Sequence, residues 1–323
     1  MSEKANIASP TQVVMKEKKR HSLIVDMFIR LVKEKPLGTI GGVIVLVLLI
    51  VGVLADVLAP YGFNEIILAD RLTAPGPGHV LGADHLGRDL LSRIIYGARI
   101  SMYVGLGGSI LSAVTATVIG ITSGFLGGKV DLVVQRFVDA MMCFPPLFLY
   151  LTIMSILGAG LGQVILVIGV TWGILSSRVV RSAVIGIKEN MYVEASRAIG
   201  ASDLRILLRH VLPNVMAPII IIFSLSMGGM IIAEASLSFL GFGIPPPTPS
   251  WGGMLSGPGR QYMLEAPWMI LWPGLALAVV VYGINMLGDA LRDILDPRLR
   301  GGLGRYSGSK KKRPQQTTTV SKD

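Results

Sequence analysis

The run AMMCFPPLFLYLTIMSILGAGLGQVILVIGVTWGILSS, Ala140 to Ser177, contains no charged residue. A helix needs about 20 apolar residues to cross the hydrocarbon core of a bilayer, so this run is too long for one crossing. Gly158, Gly160 and Gly162 interrupt it near its middle. It therefore reads as two membrane helices joined by a tight turn, the earlier one starting near Phe137. Working outward, Ile100 to Gly128 is another charge-free run, and Leu37 to Ala59 is a further span with Asp56 near its far end. Downstream, Pro213 to Leu240 is interrupted only by Glu234, and Ala266 to Gly288 is apolar throughout. The expectation is six spans, with Pro145-Pro146 kinking or breaking the third and Pro218 the fifth.

The composition agrees. Of 323 residues, 51% are hydrophobic and only 15% charged, where a soluble domain carries about a quarter. The net charge of +10 would suggest nucleic acid on a soluble protein, but the basic residues here sit between the apolar runs. There they set topology: 25 Lys and Arg fall on the side of the two termini and 5 on the other, which predicts cytoplasmic termini. The polar stretch before the first span is longer than a signal-peptide n-region and no small-residue cleavage site ends that span, so it reads as a retained helix. The expected organisation is a tail at 1–36, a six-helix domain at 37–289 containing a loop at 184–213, and a tail at 290–323. The single cysteine, Cys143, excludes an intrachain disulfide and reads as a small core hydrophobe.

Small-xxx-small spacings at Gly120/Gly124/Gly128 and Gly169/Gly173 predict close helix packing within the bundle. Asp139 and Glu234 are costly in lipid and are expected to face the interior, as pathway or gate groups or as interhelical ties. No Lys or Arg stands near either inside the expected spans, so a partner chain or water is expected to satisfy them. Asp84 to Ser101 reads as an interfacial helix with Leu86, Leu90, Leu91, Ile94 and Ile95 on one face and Asp84/Arg88 and Asp89/Arg93 as i,i+4 pairs. In the loop after the fifth span Pro245 to Pro249 is stiff and Trp251 suits the interface, consistent with docking a partner or with anchoring the fold.

The fourth inter-span segment, YVEASRAIGASDLRILLRHVLPN (Tyr192 to Asn214), reads as two short helices. Gly200 is placed to end the first, Ser202 to cap the second with Asp203 in its first turn, and Pro213 to open the fifth span. Ala195, Ala198 and Ile199 form a small-residue face, and Leu204, Leu207, Leu208 and Val211 an apolar one. Such faces are built to dock, either on a protein or on anionic lipid.

Glu194-Ala195-Ser196, followed by Gly200 and Leu212-Pro213, resembles the EAA loop of binding-protein-dependent ABC importers. His210, where general versions prefer isoleucine, resembles the version in peptide and nickel permeases. LGADHLGRDLLSRIIYGARIS (Leu81 to Ser101), EASLSFLGFGIPPPTPSWG (Glu234 to Gly252) and NMLGDALRDILDPRLR (Asn285 to Arg300) resemble further blocks of the dipeptide/oligopeptide/nickel permease family, C-type subunit. The resemblance implies an all-α polytopic membrane protein of six transmembrane helices, with the type I ABC importer permease fold, in a bacterial plasma membrane. It implies a peptide importer subunit that forms half of a pathway with a second permease, coupled to two ATPase subunits and fed by a solute-binding protein. Coupling would fall to Glu194, Ala195, Ser196, Ala198, Gly200, Ala201, Asp203, Leu207, Leu208 and Pro213. No cofactor is implied. GFLGGKV (Gly124 to Val130) lacks the Walker A spacing, the histidines lack a metal-binding spacing, and no nucleophile–base set is visible. The alternatives are nickel or another small solute on the same machinery, or an ion-coupled secondary transporter using Asp139 and Glu234. KKKR at Lys310 to Arg313 reads as a tail near anionic lipid.

Overall fold

A chain crossing lipid must satisfy its own backbone N–H and C=O groups, and this one does so with helices. The computed structural model describes residues 23–295, and among them the only strand-like pairing is an isolated bridge between Ala83 and Asp89. Most of both tails, including Lys310 to Arg313, lies outside the described residues. A short helix α1 (Leu23–Glu34) leads into α2 (Pro36–Val53), which begins at a proline whose missing N–H has no helical partner to lose. An irregular segment then reaches α3 (Leu90–Leu126). There follow α4 (Gly128–Met142), α5 (Pro146–Leu157), α6 (Leu161–Lys188), α7 (Met191–Ala198) and α8 (Asp203–Phe239). The short α9 (Trp251–Leu255) precedes α10 (Trp268–Leu295). Five helices are long and apolar enough to cross a membrane, and α4 with α5, bent by 93°, supplies a sixth crossing if the pair is one span. The break falls at Pro145-Pro146, as the sequence predicts.

Two boundaries differ from expectation. The interfacial helix expected at Asp84 to Ser101 is instead the start of α3: the Asp89 carboxylate caps it by accepting from Ser92 N at 2.7 Å, and the helix runs unbroken to Leu126. The second short helix of the loop is likewise the start of α8, which passes through a π-type turn at Leu207–Val211 without ending. Pro213 directly follows this π-type turn, inside α8, where the backbone N–H it lacks leaves one helical carbonyl without its usual donor.

The centre of the bundle is the α3–α6 pair, the most extensive helix contact in the protein. Lipid tails are as apolar as leucine, so helices associate through close van der Waals fit, which small residues permit. A β-carbon at Gly120 would lie 2.6 Å from Val180 Cβ and 2.7 Å from Ser177 O. One at Gly173 would lie 2.5 Å from Thr115 Cβ and 2.7 Å from Ser112 O. Gly124 and Gly169 make the same kind of approach; Gly128 does not, because α3 has already ended. On the other side of α3, Met227 and Met230 of α8 cover Gly105 and Gly108. The α2 helix packs on α10, where Ile44 fills the space beside Gly283.

The ends of the bundle are distinct. At one end Lys35 meets Asp293 at 2.5 Å and Leu31 of α1 packs on Ala290 and Ile294, so both ends of the described chain lie together. At the other, Gly160 N donates to Gly243 O at 3.1 Å and Trp268 Nε1 to Ala83 O at 3.2 Å, which joins three loops into one cap. Trp251 is a wedge in this cap and not an interface anchor: it is fully buried over Gly97, with Nε1 donating to Ile94 O at 3.1 Å. Cys143, at the elbow between α4 and α5, is exposed and not in the core.

Gly120→Val and Gly173→Val should each destabilise the protein by about 1–3 kcal/mol, because backbone lies against both sites and cannot yield as a side chain could. Gly162→Ala, with open space at its β-carbon, should be neutral by comparison. Thermal unfolding of the three variants in detergent checks this; equal melting points would refute the close-packed interface.

Candidate functional site

The segment from Met191 to Val211 is a hairpin pinned to the bundle by Val193, Ile206 and Val211, which are fully buried against Phe125, Val184 and Val215. With these three residues fixed, the other faces point outward. Ile199 is 87% exposed, and Leu204 and Leu208 are exposed as well. The turn between α7 and α8 is closed by backbone bonds from Gly200 N to Arg197 O at 3.0 Å and from Ala201 N to Ser196 O at 3.1 Å. This is the Schellman arrangement, and it requires the left-handed conformation that Gly200 adopts at φ +85°. Ser202 occupies the N-cap position but makes no capping hydrogen bond with its side chain. Asp203 instead faces Arg197 across the turn at 3.7 Å.

Of the remaining coupling candidates, Glu194, Ala195, Ala198 and Pro213 are exposed, while Ser196, Ala201 and Leu207 are half-buried. Ser196 Oγ donates to Tyr192 O at 2.8 Å and lies 3.4 Å from His210 Nε2, which joins the two arms of the hairpin. Leu207 belongs to the packed side and Leu208 to the outward one, so the apolar face expected of the second helix is divided between anchoring and display.

Asp139 and Glu234 are far apart in character. The Asp139 carboxylate is ion-paired with Arg178 of α6 and lies 3.5 Å from Arg136 on its own helix. A partner chain or water is therefore not needed to satisfy it, contrary to the sequence expectation. One turn further along α6, Arg181 grips Asp131 through Nε at 2.6 Å and Nη2 at 2.5 Å. Both arginines were hidden in the sequence because they follow the charge-free run and read as loop residues; α6 continues past them to Lys188. Glu234 is 1% exposed, with one oxygen accepting from Ser238 Oγ at 2.6 Å and the other without a partner among the described residues. Ser238 Oγ in turn accepts from Ile244 N at 3.1 Å, so this acid ties α8 to the loop that follows it.

A groove of about 900 Å³ runs between α6, α8 and α10 at the hairpin end. Ser176, Ser182, Asn214, Ser226 and Arg292 give it a polar side and Trp172 an apolar one. Asp139 and Glu234 do not line it.

At the opposite end the charged residues form a framework of which the sequence spacing announced only the Asp84–Arg88 pair. His79 is buried between two carboxylates, with Nδ1 at 2.9 Å from Asp89 and Nε2 at 3.2 Å from Asp70. Its ring lies 5.3 Å from that of Tyr61. Asp89 therefore serves His79 and the start of α3, and not Arg93 as an i,i+4 pair. Asp84 does pair with Arg88, at 2.7 Å, and also stands 3.7 Å from Arg93.

The geometry is that of a multi-pass helical bundle with an outward-facing hairpin at one end and a closed cap at the other. Residues 116–301 match the family model of the binding-protein-dependent transport system inner membrane component, and residues 22–75 match the N-terminal TM domain of oligopeptide transport permease C. The chain belongs to that inner membrane component family. It is 42% identical, over 79% of its length and 87% of the relative's, to a Brucella suis protein named as a peptide transport system permease. A dipeptide transport system permease of Alkalihalophilus pseudofirmus is 37% identical over 83% of this chain and 88% of its own. A glutathione transport system permease of Pectobacterium atrosepticum is 38% identical over 80% and 86%. A solved structure of the MetNI methionine ABC transporter overlaps at a TM-score of 0.49 and 18% identity, over 64% of this chain and 96% of that one.

Burial works against a charge on His79, but the hydrogen bonds to Asp89 and Asp70 outweigh it and raise its pKa above the ordinary imidazole value. A raised folded-state pKa contributes stability that is complete below the unfolded value and is lost as pH rises through the folded one. The melting point in detergent should therefore fall as pH rises above the ordinary imidazole value of about 6.5, and His79→Gln should flatten that slope. A wild-type slope unchanged by the substitution would show that the two carboxylates do not hold a charged imidazole.

Proposed function

We propose that this chain is one of two paired permease subunits of an ATP-driven bacterial importer of small peptides. The observation that carries the reading is the hairpin: exposed apolar side chains at Ile199, Leu204 and Leu208 on a turn held rigid from behind by Val193, Ile206 and Val211. A surface of this kind, on a protein that already has its own core, is a docking surface. Its partner is an ATPase subunit, with Glu194 to Ser196, Ala198, Gly200, Ala201, Asp203, Leu207, Leu208 and Pro213 forming or supporting the contact. The names of the relatives support peptides as the cargo and do not favour nickel.

The hairpin end faces the cytoplasm, as the distribution of Lys and Arg requires, and both termini with it. A push delivered at Gly200 enters α8 directly, because this helix starts at Asp203 and runs 37 residues without ending. At about 1.5 Å per residue that is a rod of roughly 55 Å, long enough to carry a rigid-body motion from the docking surface to the outer cap. Peptide delivered by an external solute-binding protein would pass along the polar side of the groove between α6, α8 and α10, with the second permease closing the other side. A proton-coupled mechanism has less support, since Asp139 is neutralised by Arg178 and Glu234 is sealed behind Ser238.

Gly200→Val should remove the left-handed turn at a cost of about 1–2 kcal/mol per residue forced into that conformation, misplacing Ile199 and Leu204. In reconstituted transporter, peptide uptake should fall at least roughly tenfold while ATP hydrolysis persists, and the amount of protein in the membrane should stay at the wild-type level. Ile199→Asp should prevent co-purification of the ATPase. Normal uptake by both variants would refute the coupling assignment.

A further inference from the structure

The outer cap encloses a cavity of about 370 Å³ that the transport reading does not use. It is walled by the loop before α3, the loop after α8, α9 and the start of α10. Its charges are unbalanced. Arg88 and Arg93 both line it and are each only 7% exposed, while Asp84 is the sole carboxylate in its wall.

Asp84 is committed chiefly to Arg88 and its own turn. One of its oxygens accepts from Leu86 N at 2.8 Å and Arg88 N at 3.0 Å, and the other takes Arg88 Nε at 2.7 Å. Arg93 has only a distant share of that carboxylate: its Nε stands 3.7 Å from the Asp84 oxygen that Arg88 holds, while its Nη1 lies 2.9 Å from Phe63 O and 3.5 Å from Pro247 O. Its Nη2 has no hydrogen bond among the described residues. Two guanidinium groups brought out of water around one carboxylate leave a positive charge whose cost a bound anion removes. Beside it, His85 leaves Nδ1 buried and without a partner, and its ring is stacked on Tyr262. Burial first, and the neighbouring arginines after it, keep this imidazole below its ordinary pKa, so it adds a neutral polar atom and no further charge.

From this arrangement we infer that the outer cavity is a carboxylate-binding site, in which Arg93, supported by Arg88, takes the anion and His85 offers a further hydrogen bond. The guanidinium fork matches a carboxylate in shape as well as charge. The cavity is enclosed enough for a small molecule or a single side chain. The carboxylate can come from a free peptide C-terminus, which rests on the peptide reading above, or from an acidic side chain of a docking protein.

The test uses the full chain with its native partners in nanodiscs, on a Cys143→Ser background because Cys143 is itself exposed. Thr248→Cys places one thiol in the cavity wall. A sulfonate-bearing methanethiosulfonate should label it at least roughly tenfold faster than the trimethylammonium analogue, as an unmatched positive charge requires. Millimolar acetate and dialanine should slow the labelling, and dialaninamide should not. Arg93→Gln should abolish the charge preference and Arg93→Lys should keep it; if the glutamine variant does not fold, the lysine variant and the two-reagent ratio still decide. Protection by acetate without protection by dialanine supports the site and assigns its carboxylate to a docking protein. Equal labelling by the two reagents, or equal protection by the amide, overturns the proposal. Labelling does not depend on transport, so this outcome is separable from failure of the importer reading.

Discussion

Two backbones in contact, with no side chain between them, hold this bundle together. At Gly120, Gly124, Gly169 and Gly173 the α3 and α6 helices approach so closely that a single methyl group would strike a carbonyl or a β-carbon of the partner. In water such an interface would be one contribution among many, but in lipid there is little hydrophobic gain in bringing one apolar helix to another. The fit itself must supply the stability. Every other helix is positioned relative to this pair: α8 lies on α3 through Met227 and Met230 over further glycines, and α4 is tied to α6 by Asp131–Arg181 and Asp139–Arg178.

Fixing α3 and α6 also fixes the hairpin, because α6 leads into it and its anchors pack on both helices. The Val193, Ile206 and Val211 anchors need Phe125 and Val184 in place. Only then do Ile199, Leu204 and Leu208 face outward, and only then does the left-handed Gly200 direct the chain into α8. The cap at the opposite end depends on α3 from its other terminus. Asp89 starts α3 and holds His79, so the loop that carries Arg88 and the first turn of α3 that carries Arg93 are set by the residue that begins the central helix.

Charge in this protein is mostly internal structure. Local sequence correctly paired Asp84 with Arg88, four residues away on the same segment. It paired Asp89 with Arg93 by the same spacing, and that was wrong, because Asp89 is an N-cap that also faces a histidine ten residues earlier. It left Asp139 without a cation because Arg178 lies 39 residues on, at a position where the apolar run had ended and a loop was expected. The helix does not stop where hydropathy stops. Arg178 and Arg181 can continue inside it since each finds a carboxylate on α4, which removes the cost that would otherwise have ended the span.

By itself the sequence determined that this is a membrane protein, that it has five or six candidate crossings, the proline break in the third, the close-packing glycines, and the loop whose residues resemble the family motif. All of these rest on composition or on spacing within one segment: hydrocarbon thickness sets a length, proline lacks an N–H, and small residues recur every four positions. The tertiary structure alone decided that Leu90 to Ser101 and Asp203 to Leu212 belong to long helices and not to separate short ones, that Trp251 is a wedge and Cys143 is exposed, which carboxylate meets which arginine, and where cavities remain. Each of these depends on what a residue meets from a distant part of the chain, and an element's local pattern carries no record of its partner.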